Sequence, residues 1–160
     1  MYQTGGKPFS TDKRTGNIRS SVDVRLMGDA RDILYELKTF EKFQKSKLAI
    51  ASRGDAARHE PGWADDALQK FKIGPNRDIS VKSIFVEIEI YPKSKNNHFE
   101  ALKQKCKIDF SEMIFFDDKV YNLQTVAKMG VTCVHTPRGL TREVWNKGMG
   151  QFPSPGKVIK

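Results

Sequence analysis

The sequence lacks the long apolar runs that a membrane protein needs. Its 160 residues are 38% hydrophobic and 29% charged, and no stretch approaches the roughly 20 apolar residues that span a bilayer. The opening segment MYQTGGKPFSTDKR has no apolar core of the kind found in secretory signal peptides. We therefore expect a cytoplasmic protein without a membrane partner.

Cysteine is also scarce, which excludes two structural classes. The chain contains only Cys106 and Cys133, and neither belongs to a closely spaced pair of the type that binds zinc. Two cysteines are also too few for a disulfide-rich scaffold. With 160 residues, one compact domain around a single apolar core is the expectation.

Positive charge is abundant, with 28 Lys and Arg against 19 Asp and Glu and a net charge of +9. Such an excess attracts phosphate-bearing partners in general. A nucleic-acid-binding protein usually concentrates its basic residues in one run or on one helix face, whereas acidic residues interrupt the basic ones throughout this chain. We therefore expect no specific nucleic-acid binding.

Apolar patterns typical of strands and helices alternate along the chain from residue 28 onward. Short apolar runs predict four strands, at 47–51, 83–90, 113–116 and 131–134. Helical spacing predicts helices at 29–43, at about 62–72, from 97 and from 120. Such alternation predicts the α/β class, with a parallel sheet covered by helices on both faces.

The residues directly after the predicted strands are the candidates for chemistry, because ligands of such sheets bind beyond the carboxyl ends of the strands. Asp117 and Asp118 follow the run MIFF. Two carboxylates at the end of a buried strand are costly unless a cation neutralises them, and Mg²⁺ prefers oxygen ligands of this kind. An equally good interpretation is that one of them caps the helix beginning near Val120.

A serine and two lysines occupy the corresponding positions after other strands. Ser52 closes the run LAIAS, and Lys93 and Lys95 lie in the loop after the second strand. A serine hydroxyl with loop amides can bind a phosphate oxygen, and a lysine can neutralise both a phosphate and a carboxylate. Taken singly, these residues are also ordinary for turns and exposed loops.

Their order along the chain carries more information than any one of them. The segments ASR at 51–53, EIYPKSKNNHF at 89–99 and MIFFDDKVYNLQTVAKMGVT at 113–132 together resemble the magnesium-dependent phosphatase family, of acid phosphatase type, within the haloacid dehalogenase superfamily. The resemblance implies a Rossmann-like fold with a minimal cap. It divides the chain into a partial cap or hairpin region at 1–27, an α/β core at 28–147 and a flexible tail at 148–160.

The resemblance also implies site residues and a cofactor. Ser52 and Arg53 would bind the phosphate, Lys95 would be both a phosphate ligand and a catalytic lysine, and Asp117 and Asp118 would hold Mg²⁺, with Asp117 the direct ligand. The family position of Lys93 commonly holds a small residue, so no role is assigned to it.

The family reaction implied by the resemblance is phosphomonoester hydrolysis through an aspartyl-phosphate. One Asp attacks phosphorus, a second Asp two residues later acts as general acid and base, and Mg²⁺ screens the charge. The two aspartates form an Asp-x-Asp motif on the middle strand of the family's sheet, and the 160 residues contain no such pair. We therefore expect the nucleophile strand to be absent, leaving either two unpaired strand edges or an altered sheet.

Three hypotheses remain open at this point. The first is a magnesium-dependent phosphatase whose chain here is truncated, acting on a phosphorylated small molecule such as a sugar phosphate or on a phosphotyrosine protein. The second is an inactive relative that still binds phosphate and Mg²⁺, and the third is a basic interaction module. We expect a monomer in each case.

Other nucleophile and ligand patterns are weaker. The three histidines, His59, His98 and His135, share no spacing that indicates a common site. Cys133 precedes Arg138 by five positions, as in cysteine-dependent phosphatases, but Cys133 lies within an apolar strand, where a reactive thiolate is disfavoured.

Overall fold

The computed structural model describes residues 10–11, 18–19, 25–53 and 63–160. The described helices are Ala30–Thr39 (α1), Trp63–Lys70 (α2), Lys95–Cys106 (α3), Val120–Ala127 (α4) and Arg142–Gln151 (α5). The described strands are Ser10–Thr11 (β1), Ile18–Arg19 (β2), Ala49–Ser52 (β3), Lys72–Ile73 (β4), Ile79–Ser80 (β5), Glu87–Ile90 (β6), Ile114–Asp117 (β7), Thr132–His135 (β8) and Val158–Ile159 (β9). None of the helices in these ranges is both long enough and apolar enough to cross a membrane.

The main strands form two parallel sheets, as the alternating pattern predicts. β3 pairs with β6, which places Ser52 opposite Ile90. β7, β8 and β9 form a three-stranded sheet in that order, and Asp117 lies opposite His135. A helix follows each of β6, β7 and β8, so the α/β class is confirmed.

One edge of β3 and one edge of β7 have no partner strand in the described ranges. There, β3 pairs only with β6 and β7 pairs only with β8. Of the two outcomes expected for a sheet without its middle strand, the described residues show the unpaired edges. Burial follows the pairing: three of the four β8 residues are buried, whereas all four β3 residues are only partly buried.

Two apolar clusters form the core. The first lies in α2 and the strands and turn that follow it, and its buried residues are Ala67, Phe71, Ile73, Val81 and Ile84; Leu48, just before β3, packs against it. The second cluster joins β7, β8, α3 and α4 and consists of Phe99, Phe115, Leu123, Val126, Ala127, Val131 and Cys133. Ala51 of β3 packs against this second cluster, so the two sheets share part of one core.

The predicted boundaries differ from the observed ones by four residues at two elements. The strand predicted at 83–90 begins at Glu87, because Val81–Ile84 forms a 3-10 turn that buries Val81 and Ile84, and residues three apart face the same side of such a turn. The helix predicted at 29–43 ends at Thr39, where Phe40 becomes extended, and a separate 3-10 turn follows at Glu41–Phe43.

Helix α3 begins two residues before the predicted Asn97. Its N-cap is Ser94, which has an extended backbone, and the Ser94 hydroxyl donates to Asn97 Oδ1 at 2.8 Å. Asn97, at which the helix is predicted to begin, therefore lies in its first turn. The consequence matters for the site, since Lys95 becomes the first residue of the helix.

Both chain ends contribute to structure. β1 and β2, within the region 1–27 where a hairpin is predicted, pair antiparallel, and the rest of 1–24 lies outside the described residues. Residues 148–160, predicted as a flexible tail, instead complete α5 and add β9 beside β8. Gly148 permits this packing, because a Cβ atom there would lie 2.9 Å from Val134 Cγ2.

Candidate active site

The candidate residues meet at the carboxyl ends of the parallel strands. Ser52 is the last residue of β3 and Asp117 the last residue of β7. Lys95 begins the helix that follows β6. Parallel strands direct their carboxyl ends to one edge, and the topology therefore gathers residues that are far apart in the sequence.

Lys95 connects the two sheets. Its ammonium donates to the carbonyl oxygen of Ala51 and lies 3.8 Å from Asp117 Oδ2, while the side chain is only 5% exposed. The carbonyls of Leu48 and Ser52 both bond to backbone N–H groups on the β6 side. Since bonding directions alternate along a strand, the Ala51 carbonyl points to the open edge of β3. Lys95 therefore occupies space beside that edge.

The charge of Lys95 is incompletely neutralised. Burial is the main factor that lowers the pKa of Lys95 below its usual value, and the opposing attraction of Asp117 is the next largest. Arg53 lowers the Lys95 pKa further, and Asp118 raises it. A buried ammonium in such surroundings gains from an additional anion, and a phosphate would supply one.

Asp117 is held by hydrogen bonds from the start of α4. Its Oδ1 accepts from the backbone N–H of Lys119 at 2.7 Å, and the amide nitrogen of Asn122 lies 3.1 Å from both carboxylate oxygens. The side chain is 11% exposed. The carboxylate is thus oriented by the N-cap residue and the first turn of the following helix.

Asp118 has a different environment although it is the next residue. Its side chain is 44% exposed and pairs with Lys119 Nζ at 3.1 Å. Neither aspartate is the N-cap of α4, because that position is Lys119 and no side chain caps it. The helix-capping interpretation of the acidic pair is therefore not supported.

The donor set fits a partial magnesium shell. In the part of the chain that the structure describes, no group of three or more His, Cys, Asp and Glu residues is arranged to hold a metal ion. Mg²⁺ commonly takes only one or two carboxylates from the protein and completes its shell with water and substrate phosphate. Asp117 and Asp118 can supply these carboxylates, and the nearby Lys95 can bind the phosphate.

Ser52 and Arg53 lie at the other side of Lys95. The Ser52 carbonyl accepts from the Tyr91 N–H at 3.2 Å and from His98 Nε2 at 2.8 Å. Arg53 is exposed directly after β3, and its positive charge lowers the pKa of Lys95. Lys95 thus contacts Asp117 and the Ala51 carbonyl, and Ser52 and Arg53 directly follow Ala51 in the chain.

Two supporting residues had no predicted role in the site. Asn122 orients Asp117, and His98 bonds to the Ser52 carbonyl. Both are buried, and a polar residue on the buried face of an amphipathic helix is the signal that could have identified them.

The alternative cysteine nucleophile is disfavoured by the geometry. Cys133 is fully buried, and burial, with a smaller contribution from the charge of Asp117, raises the pKa of its thiol to about 12. A thiol with that pKa is protonated at neutral pH and is a poor nucleophile.

A cavity of about 450 Å³ adjoins the acidic pair. Its lining includes Asp117, Asp118 and Lys119, the apolar ring of Phe116, and Arg25 from the segment before α1. The cavity therefore combines charged groups of both signs with an apolar wall. Such a lining suits a ligand that carries a charged group on an organic body.

Comparisons with known proteins identify the family. Residues 1–154 match the family model described as acid phosphatase. Magnesium-dependent phosphatase 1 of Homo sapiens is 34% identical over 134 residues, which cover 84% of this chain and 67% of that protein. A HAD-like hydrolase superfamily protein of Schizosaccharomyces pombe is 30% identical over 129 residues, which cover 78% of this chain and 70% of that protein.

Proposed function

The chain belongs to the acid phosphatase family of the haloacid dehalogenase-like hydrolases, and on that premise we propose that its site binds a phosphate monoester together with Mg²⁺. The observation that carries the proposal is the position of Lys95. This buried ammonium lies between the Ala51 carbonyl and Asp117, where the ends of two sheets meet.

The proposed roles follow from the surroundings of each side chain. Lys95 supplies a charge-assisted hydrogen bond to a phosphate oxygen, and Ser52 and Arg53 at the end of β3 supply further donors. Asp117 and Asp118 hold Mg²⁺, with the oriented Asp117 as the direct ligand. Bound Mg²⁺ neutralises charge on the phosphate and polarises its oxygens.

Hydrolysis requires a nucleophile in addition to this binding site. The aspartyl-phosphate route needs an Asp-x-Asp pair, and the 160 residues contain none. The residues described above bind, orient and neutralise charge, but none of them forms the covalent intermediate of that route. We therefore expect the 160-residue polypeptide to bind phosphate without hydrolysing monoesters at a rate above background.

The proposed substrates are phosphotyrosine in proteins or sugar phosphates. The 450 Å³ cavity beside the acidic pair leaves room for the organic part of either. Its apolar wall at Phe116 suits an aromatic group, and its charged residues suit sugar hydroxyls. Binding of phosphotyrosine and of a hexose phosphate, measured side by side, distinguishes the two classes.

Titration calorimetry tests the binding function. Orthophosphate is titrated into the chain with and without Mg²⁺, and the expected result is affinity that Mg²⁺ increases and that Asp117→Asn weakens by about tenfold. Asp109→Asn is the matched control, because Asp109 is 71% exposed and pairs with Lys103. Equal behaviour of the two variants would contradict the site assignment.

The same measurements separate the enzyme from its alternatives. An inactive relative binds orthophosphate with Mg²⁺, and the addition of an Asp-x-Asp peptide segment at its N-terminus leaves it inactive. A truncated enzyme gains turnover of phosphotyrosine or a hexose phosphate from that addition. A basic interaction module binds anions without Mg²⁺, and its affinity falls to a similar extent when any exposed lysine is replaced.

A further inference from the structure

The cavity beside the acidic pair has a wall that the proposed contacts to phosphate and Mg²⁺ do not involve. This wall comes from two segments, residues 25–30 and residues 136–140. The backbone N–H of Asp29 donates to the Leu140 carbonyl at 2.8 Å, and the Asp29 carboxylate accepts from the Arg142 N–H at 2.6 Å. The two segments are therefore fixed to each other and form one continuous side of the cavity.

Arg25 is the cation of the cavity lining that has no counter-ion in the described ranges. The charged lining residues are Arg25, Asp117, Asp118 and Lys119. Asp118 pairs with Lys119 Nζ at 3.1 Å, and Asp117 lies 3.8 Å from Lys95 Nζ. Arg25 is exposed and forms no hydrogen bond or ion pair with the described residues. Its planar guanidinium can therefore bind an acidic group of a ligand with two parallel N–H groups.

Thr136 supplies a hydroxyl to the same wall. It directly follows β8, its backbone N–H donates to the Asp117 carbonyl at 3.0 Å, and only 6% of the residue is exposed. In the part of the chain that the structure describes, its hydroxyl has no hydrogen-bond partner. Since no fully enclosed side-chain oxygen there lacks a partner, the hydroxyl is accessible from the cavity that Thr136 lines. A polar group held in this way obtains its hydrogen bond from a ligand or from water.

We propose that Arg25 and Thr136 bind a carboxylate on the organic part of the phosphate monoester, so that the preferred substrates are phosphorylated sugar acids and similar small phosphorylated carboxylic acids. The guanidinium donates two hydrogen bonds to the carboxylate, and the Thr136 hydroxyl donates a third. A cavity of about 450 Å³ has the size of a small-molecule site. The proposal rests on the proposed phosphate binding, because the phosphate places the organic part in this cavity.

Pairs of matched ligands test the proposal on the unsubstituted chain. Titration calorimetry in the presence of Mg²⁺ compares 6-phosphogluconate with sorbitol 6-phosphate, and 3-phosphoglycerate with glycerol 3-phosphate. The compounds of each pair differ by a carboxylate in place of a hydroxymethyl group. In the pair whose length spans from Lys95 to Arg25, the carboxylate compound should bind about tenfold more tightly. Equal affinities within both pairs would overturn the inference, and this comparison requires no variant to fold.

Three substitutions then assign the preference to the cavity wall. Arg25→Met should reduce the tenfold preference for the carboxylate compound to less than about twofold, and Thr136→Val, which keeps the shape of the side chain, should reduce it about threefold. Arg138→Met is the matched control, because Arg138 is exposed in the same loop as Thr136 but is not among the residues that line the cavity. Its preference should equal that of the unsubstituted chain.

The outcomes separate this inference from the function on which it rests. Similar losses of preference in Arg25→Met and Arg138→Met would show that general positive charge attracts the carboxylate, and would overturn the inference. Absence of orthophosphate binding in the unsubstituted chain would overturn the proposed function itself. Orthophosphate binding without a preference within either ligand pair would overturn only the carboxylate site.

Discussion

The two strand ends that meet at Lys95 are held in different ways. At the end of β7, the Asp117 side chain receives hydrogen bonds from Lys119 and Asn122, which follow it directly in the chain. At the end of β3, the Ser52 carbonyl is bonded by Tyr91 and His98, which are about 40 residues away. One half of the site is therefore organised locally and the other half by tertiary structure.

The two sheets that carry these strand ends also differ in how well they are paired and buried. β7 is backed by β8, which is paired on both sides and mostly buried. Among the described strands, β3 pairs with β6 alone, and both of these strands are largely half-buried. The acidic half of the site therefore has the stronger support from its sheet, whereas the Ser52 half depends on α3. Lys95 and His98 both belong to that helix.

Replacement of the lysine that joins the halves has the largest expected effect. Lys95→Met removes the buried ammonium, and the affinity for orthophosphate in the presence of Mg²⁺ should fall about 100-fold, since a charge-assisted hydrogen bond is lost. Lys93→Met is the matched control, because Lys93 is exposed in the same loop, and its affinity should change less than about twofold. Similar losses in both variants, measured by titration calorimetry, would show that general basic charge binds the anion.

Amide hydrogen-exchange rates measure how differently the two sheets protect their backbone N–H groups. Cys133 in β8 donates its N–H to Lys157 inside a sheet that is paired on both sides, whereas the Ala51 N–H points to the open edge of β3. The Ala51 amide should exchange at least about tenfold faster than the Ile50 amide, which faces β6, and Cys133 should be slowest of the three. Strong protection of Ala51 would mean that another segment pairs with this edge.

The smallest expected effect concerns an ion pair between α5 and α1, away from the two strand ends. Arg142 of α5 donates two hydrogen bonds to Glu36 of α1, at 2.6 and 2.8 Å. These bonds lower the Glu36 pKa below its ordinary value of 4.5. Because the folded-state pKa is lowered, the stabilisation is complete above about pH 4.5 and is lost as the pH falls through the folded-state pKa.

Glu36→Gln should therefore lower the free energy of unfolding slightly at neutral pH. The difference from the unsubstituted chain should disappear in acid, and urea unfolding at a series of pH values measures it. A difference that persists unchanged at pH 3 would mean that the variant acts through packing and not through charge.

The fold class could be predicted because its signals are local. Short apolar runs and helical spacing identify β3, β7, β8 and α4 to within two residues. The turn at Val81–Ile84 was missed because an apolar run does not distinguish a strand from a 3-10 turn that buries the same side chains. β9 was missed because only pairing with β8 stabilises two residues as a strand.

The site was predictable to the extent that it lies at strand ends. Ser52, Lys95 and Asp117 could be chosen because parallel strands share one carboxyl edge. The contrast between Asp117 and Asp118 could not, since it depends on the start of α4 and on the partner Asn122. His98 could not be chosen, because its three carbonyl partners come together only in the folded chain.

The most direct test of a single shared site is the coupling between orthophosphate and Mg²⁺. Titration calorimetry of each ligand is performed in the absence and presence of the other. If Lys95, Ser52, Asp117 and Asp118 form one site, each ligand should tighten binding of the other by the same factor, about tenfold, and Asp117→Asn should remove the coupling. Independent binding of the two ligands would contradict the account.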